Sequence, residues 1–387
     1  MIMGTVNKGR KLWAWLFIIL LIPFLSIWGI KSRLPEGVYQ AWQVASVSCM
    51  LLLVFLVAKK IKVNWAIFLF GLYQAVVLIS TTLNHGFSPG IFTVTVGVIC
   101  VFMLLQSPFY FDILSAFCRI VVVSAIVNFL TMLPNLQDEY AQYFIGGKNS
   151  LGMFLIPGVF LLLIKSKDYS DKLTRVDTYV VGLCLFSVFL GGSTTGIVVV
   201  LFAIGLLVLS KAITPQKRTY LLVILFFYAL LLLLADYFLP SRLWITFTSF
   251  FDKSNTLTSR TTIWTIVKEI IRENWLFGSG RGTQIAHITS WGTSSIMTEA
   301  HNFILEILME GGIVALVLYT SLFYKAVKHL DMKDERNRLV FISLCVLLIN
   351  GLTESTLNNI FVSILLGIAC RYAAENQGNK KYYEQQT

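Results

Sequence analysis

The stretch 303-FILEILMEGGIVALVLYTSLFY-324 decides the fold. It is long enough to cross a bilayer, because about 20 apolar residues in a helix span the hydrocarbon layer. Yet it carries Glu306 and Glu310 inside its apolar run. A charged side chain near mid-membrane costs at least about 2.5–3.5 kcal/mol, so such residues face protein, water or a cation.

The rest of the chain repeats the apolar part of this pattern. The sequence is 387 residues long, 56% hydrophobic and 13% charged, with a mean hydropathy of +0.75. That is far from a soluble globular average. Twelve apolar stretches stand out, at 12–30, 41–58, 63–83, 90–106, 112–133, 149–165, 177–192, 196–210, 219–239, 303–324, 338–352 and 356–374. They predict an all-α, polytopic membrane protein in three parts. Residues 1–239 hold nine transmembrane helices, 240–302 form a large external loop with an amphipathic helix, and 303–387 hold helices ten to twelve and a tail.

Lys and Arg set the orientation. They gather at the N-terminus and on alternate connections, as in Lys59, Lys60 and Lys62, or Lys325, Lys328 and Lys333. Both termini are expected in the cytoplasm and the long loop outside. The net charge of +11 follows from this topology, so no nucleic-acid partner is called for. The first apolar run follows a basic cluster but is too long for a signal-peptide core and lacks a small-residue cleavage site, so it reads as a retained span. All six cysteines fall within apolar stretches without paired spacing, which indicates neither a disulfide framework nor a zinc site.

Chemistry is expected in the long loop. Its segment 259-SRTTIWTIVKEIIRENWLFG-278 has helical period, with Thr258 or Ser259 to cap it and Gly278 to end it. At 100° per residue Arg260 shares a stripe with Trp264, Val267 and Ile271 and points inward. A cation there opposes the helix dipole, so it either holds an anion or snorkels. After this helix, 278-GSGRG-282 sets Arg281 among glycines; like 146-GGKNS-150 with its Lys148, it is no P-loop and reads first as a turn. His301 lies at the mouth of span ten, where it can accept a proton near neutral pH. Extended back along the helix, His301 faces away from Glu306 and Glu310. Arg119 in span five is one possible partner for Glu310.

Arg260, Trp264, Gly278, Gly280, His301, Asn302, Leu305, Leu308, Glu310 and Gly312 stand in an order that resembles the C-terminal signature of the O-antigen ligase and polymerase superfamily, which includes Wzy-type polysaccharide polymerases. The signature covers about residues 245–325, and the span count extends the likeness to the whole chain. The resemblance implies a GT-C-like membrane glycosyltransferase. Its donor would be an undecaprenyl-pyrophosphate-linked oligosaccharide, used at the outer face of the cytoplasmic membrane without cofactor, nucleotide sugar or metal. Polymerases pass the glycan to another lipid-linked repeat unit, building capsule, exopolysaccharide or O-antigen; ligases pass it to a different acceptor. The lipid bilayer, and a flippase and chain-length regulator of the same pathway, are the implied partners.

In that setting Arg260 and Arg281 offset the charge of the leaving pyrophosphate, and His301 removes the acceptor proton, with Glu299 or Glu310 as alternatives. Lys148, Asn302, Glu299, Glu354 and Trp264 are the further substrate contacts, Glu354 through sugar hydrogen bonds. Trp264, Trp275, Trp291 and Tyr140 suit either sugar stacking or interfacial anchoring. The chain departs from the family at 191-GGSTTG-196, where a Ser-Arg pair is frequent, at Trp275, where Pro is frequent, and at Ala315, where ligases commonly carry Gly, Thr or Tyr. The missing Arg and Ala315 favour polymerase over ligase. A lipid-linked glycan flippase or other transporter is the third reading; it would need polar residues at mid-membrane and internal repeats.

Overall fold

A computed structural model describes residues 8–61, 65–135, 141–169, 172–212, 216–237, 260–288 and 294–384. Thr258, Ser259, Tyr140 and Trp291 lie outside the described residues, as does most of the loop before Arg260.

The described chain is a helical bundle with one small hairpin. Its helices are α1 Lys8–Leu21, α2 Trp28–Lys31, α3 Glu36–Val57, α4 Trp65–His85, α5 Pro89–Leu105, α6 Tyr110–Met132, α7 Lys148–Tyr169, α8 Arg175–Leu190, α9 Thr194–Ala212, α10 Lys217–Tyr237, α11 Arg260–Glu273, α12 Phe303–Lys328, α13 Glu335–Asn350 and α14 Ile360–Glu384. Strands β1 Ile285–Ile288 and β2 Ser294–Met297 pair antiparallel, Ile285 opposite Met297. Most of the apolar stretches seen in the sequence lie largely on one helix each, whereas 12–30 is divided between α1, a 3-10 turn at Ile22–Phe24 and α2.

Among the described residues, six helical stretches are long and apolar enough to cross a membrane: Glu36–Lys60, Trp65–His85, Tyr110–Asn135, Lys148–Tyr169, Thr194–Lys211 and Phe303–Lys328. Leu12–Phe24 and Pro89–Leu105 are apolar but shorter. Helix α7 is central, with 72% of its apolar window buried, against 22% for the stretch that contains α3. On α3 the outward side chains include Leu52, Phe55 and Leu56, a surface suited to lipid tails rather than water.

Local chemistry sets the helix ends. Ser88, Thr174, Asn302 and Asp334 are side-chain N-caps of α5, α8, α12 and α13, each satisfying an otherwise orphaned N–H. Pro157 inside α7 cannot donate to the carbonyl of Met153; Asn359 Nδ2 donates to it instead, at 3.0 Å. Lys217, opening α10, donates to the carbonyls of Val327, Lys328 and Leu330 at 3.0, 2.7 and 2.8 Å. It thereby closes the C-terminal end of α12, where a cation is favoured.

Helix α12 is not continuous. Gly312 has φ 65° and ψ −163°, which breaks the helix mid-course. A break in an apolar helix frees backbone groups that lipid cannot satisfy. Here the segment after α11 satisfies them: Ile313 N donates to Trp275 O at 2.9 Å, Val314 N to Leu276 O at 3.3 Å, and Met309 O accepts from Ser279 N at 2.7 Å. A Cβ on Gly278 would lie 2.6 Å from Gly311 N, and one on Gly280 2.4 Å from Thr81 Cα. The Gly-rich turn is therefore a wedge between α12 and α4, and only residues without a side chain fit there.

Candidate functional site

Helix α11 is amphipathic and buries Ile263, Trp264 and Val267 against Ile285, Ala300, Leu305 and Met309. This packing fixes the direction of Arg260, one turn before Trp264 on the same stripe. The inward orientation expected from the period holds, and the snorkelling alternative does not. Arg260 Nη2 meets Glu354 Oε1 at 2.5 Å, with side-chain exposures of only 12% and 3%. Trp264 is 1% exposed, so its ring is core and leaves no face for a sugar. Trp275 is exposed.

His301 precedes α12 rather than lying on it. Asn302 accepts from the N–H groups of Ile304 and Leu305, both at 3.1 Å, and donates to Leu352 O at 3.0 Å. Phe303 N donates to Gly351 O at 2.8 Å. The entry to α12 is thus zipped to the loop between α13 and α14. At His301 the backbone takes φ 48°, a conformation that costs a non-glycine residue about 1–3 kcal/mol. Two buried groups hold it there. Ser355 Oγ accepts from His301 N at 3.0 Å and donates to Glu306 Oε2 at 3.3 Å, and the same carboxylate oxygen accepts from Ala300 N at 2.6 Å. Projecting a regular helix back from span ten to His301 is therefore corrected: the imidazole is aimed by a turn. That turn sets Nδ1 3.8 Å from Glu354 Oε2.

The second ion pair lies one helical turn or more further along α12. Arg281 Nε stands 3.2 and 3.3 Å from the two oxygens of Glu310, and its Nη2 3.1 Å from Oε2. Asn358 Nδ2 donates to Oε1 at 2.7 Å. Burial pulls the Arg281 guanidinium down, but Glu310 more than offsets it and holds the group above its usual value. Arg119 is not the partner of Glu310; its guanidinium lies over the Trp15 ring, 5.3 Å from the centroid. Before the structure, the Gly-rich turn could not be seen to carry Arg281 to the break in α12.

Glu299 keeps solvent access at the rim. Protein crowding around its carboxyl, then Glu354 and Glu310, hold it above the usual carboxylate range, against a hydrogen bond from Ser355. Lys148 opens α7 at this same end of the bundle. Its neighbour Asn149 accepts from Ser193 Oγ at 3.2 Å, and Thr195 Oγ1 lies 3.3 Å from Thr353 Oγ1, beside Glu354. The N-terminal ends of α7, α9, α11 and α12 therefore gather here, each with a partial positive charge. Among the described residues, no three His, Cys, Asp or Glu side chains converge as metal ligands.

Four contributors were not singled out from sequence: Ser355, Asn358, Thr81, whose Oγ1 accepts from Arg281 N at 2.8 Å, and Glu306 in its role under His301. The signal available was 353-TESTLNN-359, a polar run between two apolar stretches.

A helical bundle with apolar outer faces, and with two buried arginine–glutamate pairs of which one lies beside a histidine, is consistent with an all-α membrane protein. Residues 179–320 match the O-antigen ligase family model, which supports the O-antigen ligase/polymerase superfamily. Members of that family are glycosyltransferase-like ligases and polymerases. The match begins well before the signature at 245–325, taking in α8 to α10. No curated protein and no solved structure matches the chain significantly.

Proposed function

We propose that this end of the bundle is the active site of a polysaccharide polymerase. It faces outward from the cytoplasmic membrane and transfers a glycan from undecaprenyl pyrophosphate to the hydroxyl of another lipid-linked repeat unit. The observation that carries the reading is the setting of His301 Nδ1 3.8 Å from Glu354, the carboxylate that also holds the largely buried Arg260. The acceptor oxygen attacks the anomeric carbon as its proton passes to His301 Nε2. The bond from that carbon to the pyrophosphate oxygen breaks, and its electron pair leaves with the pyrophosphate. Arg260 and Arg281 offset the developing charge, the kind of fixed electrostatics that usually gives the largest catalytic contribution.

The ligase reading is favoured by the description of the matched family. The polymerase reading is favoured by 191-GGSTTG-196, where Ser193 bonds Asn149 and no arginine is present, and by the small, buried Ala315. The test is a transfer assay on purified protein in detergent, with a lipid-pyrophosphate-linked repeat unit and gel readout. A product ladder in the wild type, lost in His301→Ala and Arg260→Ala, supports the polymerase. Release of lipid pyrophosphate only when a second, different acceptor is added supports the ligase. Absence of transfer under both conditions refutes the enzyme reading and favours a transporter.

A further inference from the structure

We propose that Arg119 is the centre of a binding site for an anionic phospholipid, set between α1 and α6 at the end of the bundle away from His301. The inference rests on the membrane reading alone and is independent of any transfer chemistry.

Arg119 stands nine residues after Tyr110, the start of α6, which is about 13 Å along the helix axis. The stretch that contains it, Tyr110–Asn135, is apolar and long enough to cross a membrane. A cation inside such a stretch is expected to face protein, water or an anion. Arg119 instead lies on an outward stripe. Steps of four, three and four residues from it reach Val123, Ile126 and Leu130, which are 59%, 43% and 60% exposed. On α1, Leu12, Trp15 and Ile19 are exposed as well.

The guanidinium lies over the Trp15 ring, 5.3 Å from its centroid. Among the described residues no carboxylate pairs with it. Nη1 is enclosed without an acceptor, while the side chain as a whole is only half-buried, so the group is covered on its inner edge and reachable from outside. On the same stripe, Ser115 Oγ is engaged by Tyr169 Oη at 3.0 Å. Asp112, two turns from Arg119, has an interaction of its own. A cation–π contact recovers only part of the cost of a cation at this depth. The charge calls for an anion that the described chain does not supply.

The geometry selects a lipid phosphate. Tyr110 Oη donates to Asp168 Oδ2 at 2.7 Å, near the C-terminal end of α7, so α6 starts at the end opposite Lys148 and the candidate site. Helical side chains slope toward the helix N-terminus, which carries the guanidinium from its Cα toward headgroup level. Tryptophan gathers at that level, as it does at membrane interfaces: Trp13 packs on Phe109 with ring centroids 5.0 Å apart, and Trp15 is 59% exposed. Helix α1 also opens on 8-KGRK-11, cations of the kind that draw anionic lipid to a surface. A guanidinium takes two phosphate oxygens at once. A carboxylate from a second membrane protein would match the charge, but it would have to be buried there at its own cost, whereas a headgroup phosphate already lies at the interface.

The test uses the full chain, delipidated in a neutral detergent, with phosphatidylglycerol as probe and zwitterionic phosphatidylcholine as control. Native mass spectrometry counts retained lipid, and thermal midpoints read stability. Wild type is expected to retain phosphatidylglycerol over phosphatidylcholine and to melt higher in its presence. Arg119→Leu is expected to retain about fivefold less and to show no such rise. Without lipid it should melt no lower than wild type, because it removes a cation that has no counter-charge. Arg119→Gln keeps a polar side chain without the charge, so it should follow Arg119→Leu, and it carries the test if the leucine variant fails to fold. Equal retention in wild type and both variants overturns the proposal. So does a lipid-free wild type that melts well above both, since Arg119 would then be paired within the protein. A rise produced equally by inorganic phosphate, or an acidic membrane protein that co-purifies with wild type and is lost from both variants, also overturns it, because the occupant is then not a lipid.

Discussion

Removing the Glu310 carboxylate tests how the inner half of the site is held. Glu310 is 1% exposed and accepts from Arg281 Nε and Nη2 and from Asn358. Glu310→Ala leaves the Arg281 guanidinium, itself only 19% exposed, with no counter-charge at the break in α12. Breaking a buried pair from one side costs about 3–5 kcal/mol. The residual exposure of Arg281 puts the expected loss near the lower end, about 3 kcal/mol, and the lost Asn358 hydrogen bond adds about 1 kcal/mol.

The pair as a whole is worth much less, because both ions must give up hydration to form it. Replacing both partners with apolar residues, as Arg281→Met with Glu310→Leu, is therefore expected to recover most of the loss, to within about 1–2 kcal/mol of wild type. Thermal midpoints in detergent, ranked with the monodisperse fraction on a sizing column, read the series. Polymer yield from the recovered double variant then reports on Arg281 separately, since a stable but inactive protein assigns the guanidinium to the reaction. A double variant as unstable as the two single losses added together would refute the reasoning, because additivity means that neither residue's loss depends on the other's charge.

Four further outcomes follow from the geometry. Trp264→Phe is expected to change stability by less than about 1 kcal/mol, because the indole N–H lacks a protein acceptor among the described residues, while Trp264→Ala costs about 3–5 kcal/mol; a Phe variant that is stable but slow would restore a substrate role to the ring. Gly280→Ala should lower the thermal midpoint more than Gly282→Ala. Both positions have positive φ, near 90°, but only at 280 does the new Cβ meet backbone, at 2.4 Å, against 3.8 Å to a flexible Ile91 at 282; equal midpoints would contradict the wedge. Ser355→Ala removes the acceptor for His301 N, so turnover should fall with donor KM little changed, and a loss confined to KM would count against Ser355 as a positioning residue. For Glu299 the folded-state carboxyl is raised above its unfolded value, so its contribution is full below the unfolded value and is lost as pH rises through the folded one. Glu299→Gln should therefore melt above wild type at pH 8, with the gap closing toward pH 4; a gap that widens on acidification would reverse the assignment.

The helices were legible because span length and composition are local properties. Arg260 was legible too, since a 100° period turns a sequence offset into a direction. Its partner was not, because Glu354 lies 94 residues away in the chain on a loop whose path depends on how α13 and α14 pack. An ion pair for Glu310 was foreseeable, but its partner was not, for a related reason. Arg119 was considered from depth along continuous helices, but Gly312 interrupts α12 and admits a turn that brings in Arg281 from outside the spans. The placing of His301 depended on one dihedral angle. A regular helix extended back through Asn302 turns its side chain away from the carboxylates, whereas φ 48° turns it toward Glu354.

The break in α12 and the ion pairs answer one constraint. Carboxylates inside an apolar helix need donors that lipid cannot supply, and a regular helix has no backbone N–H left to give. Glu306 takes one donor, Ala300 N, from the turn that carries His301 and the other from Ser355, which also holds His301 N, so the contacts that answer its burial also hold that turn. Glu310 takes its donors from Arg281, whose access depends on two glycines wedged where α12 opens. Both glutamates thus convert a solvation problem into fixed geometry for neighbouring groups. Glu354 instead lies on a loop, with Arg260 on one oxygen and His301 Nδ1 3.8 Å from the other.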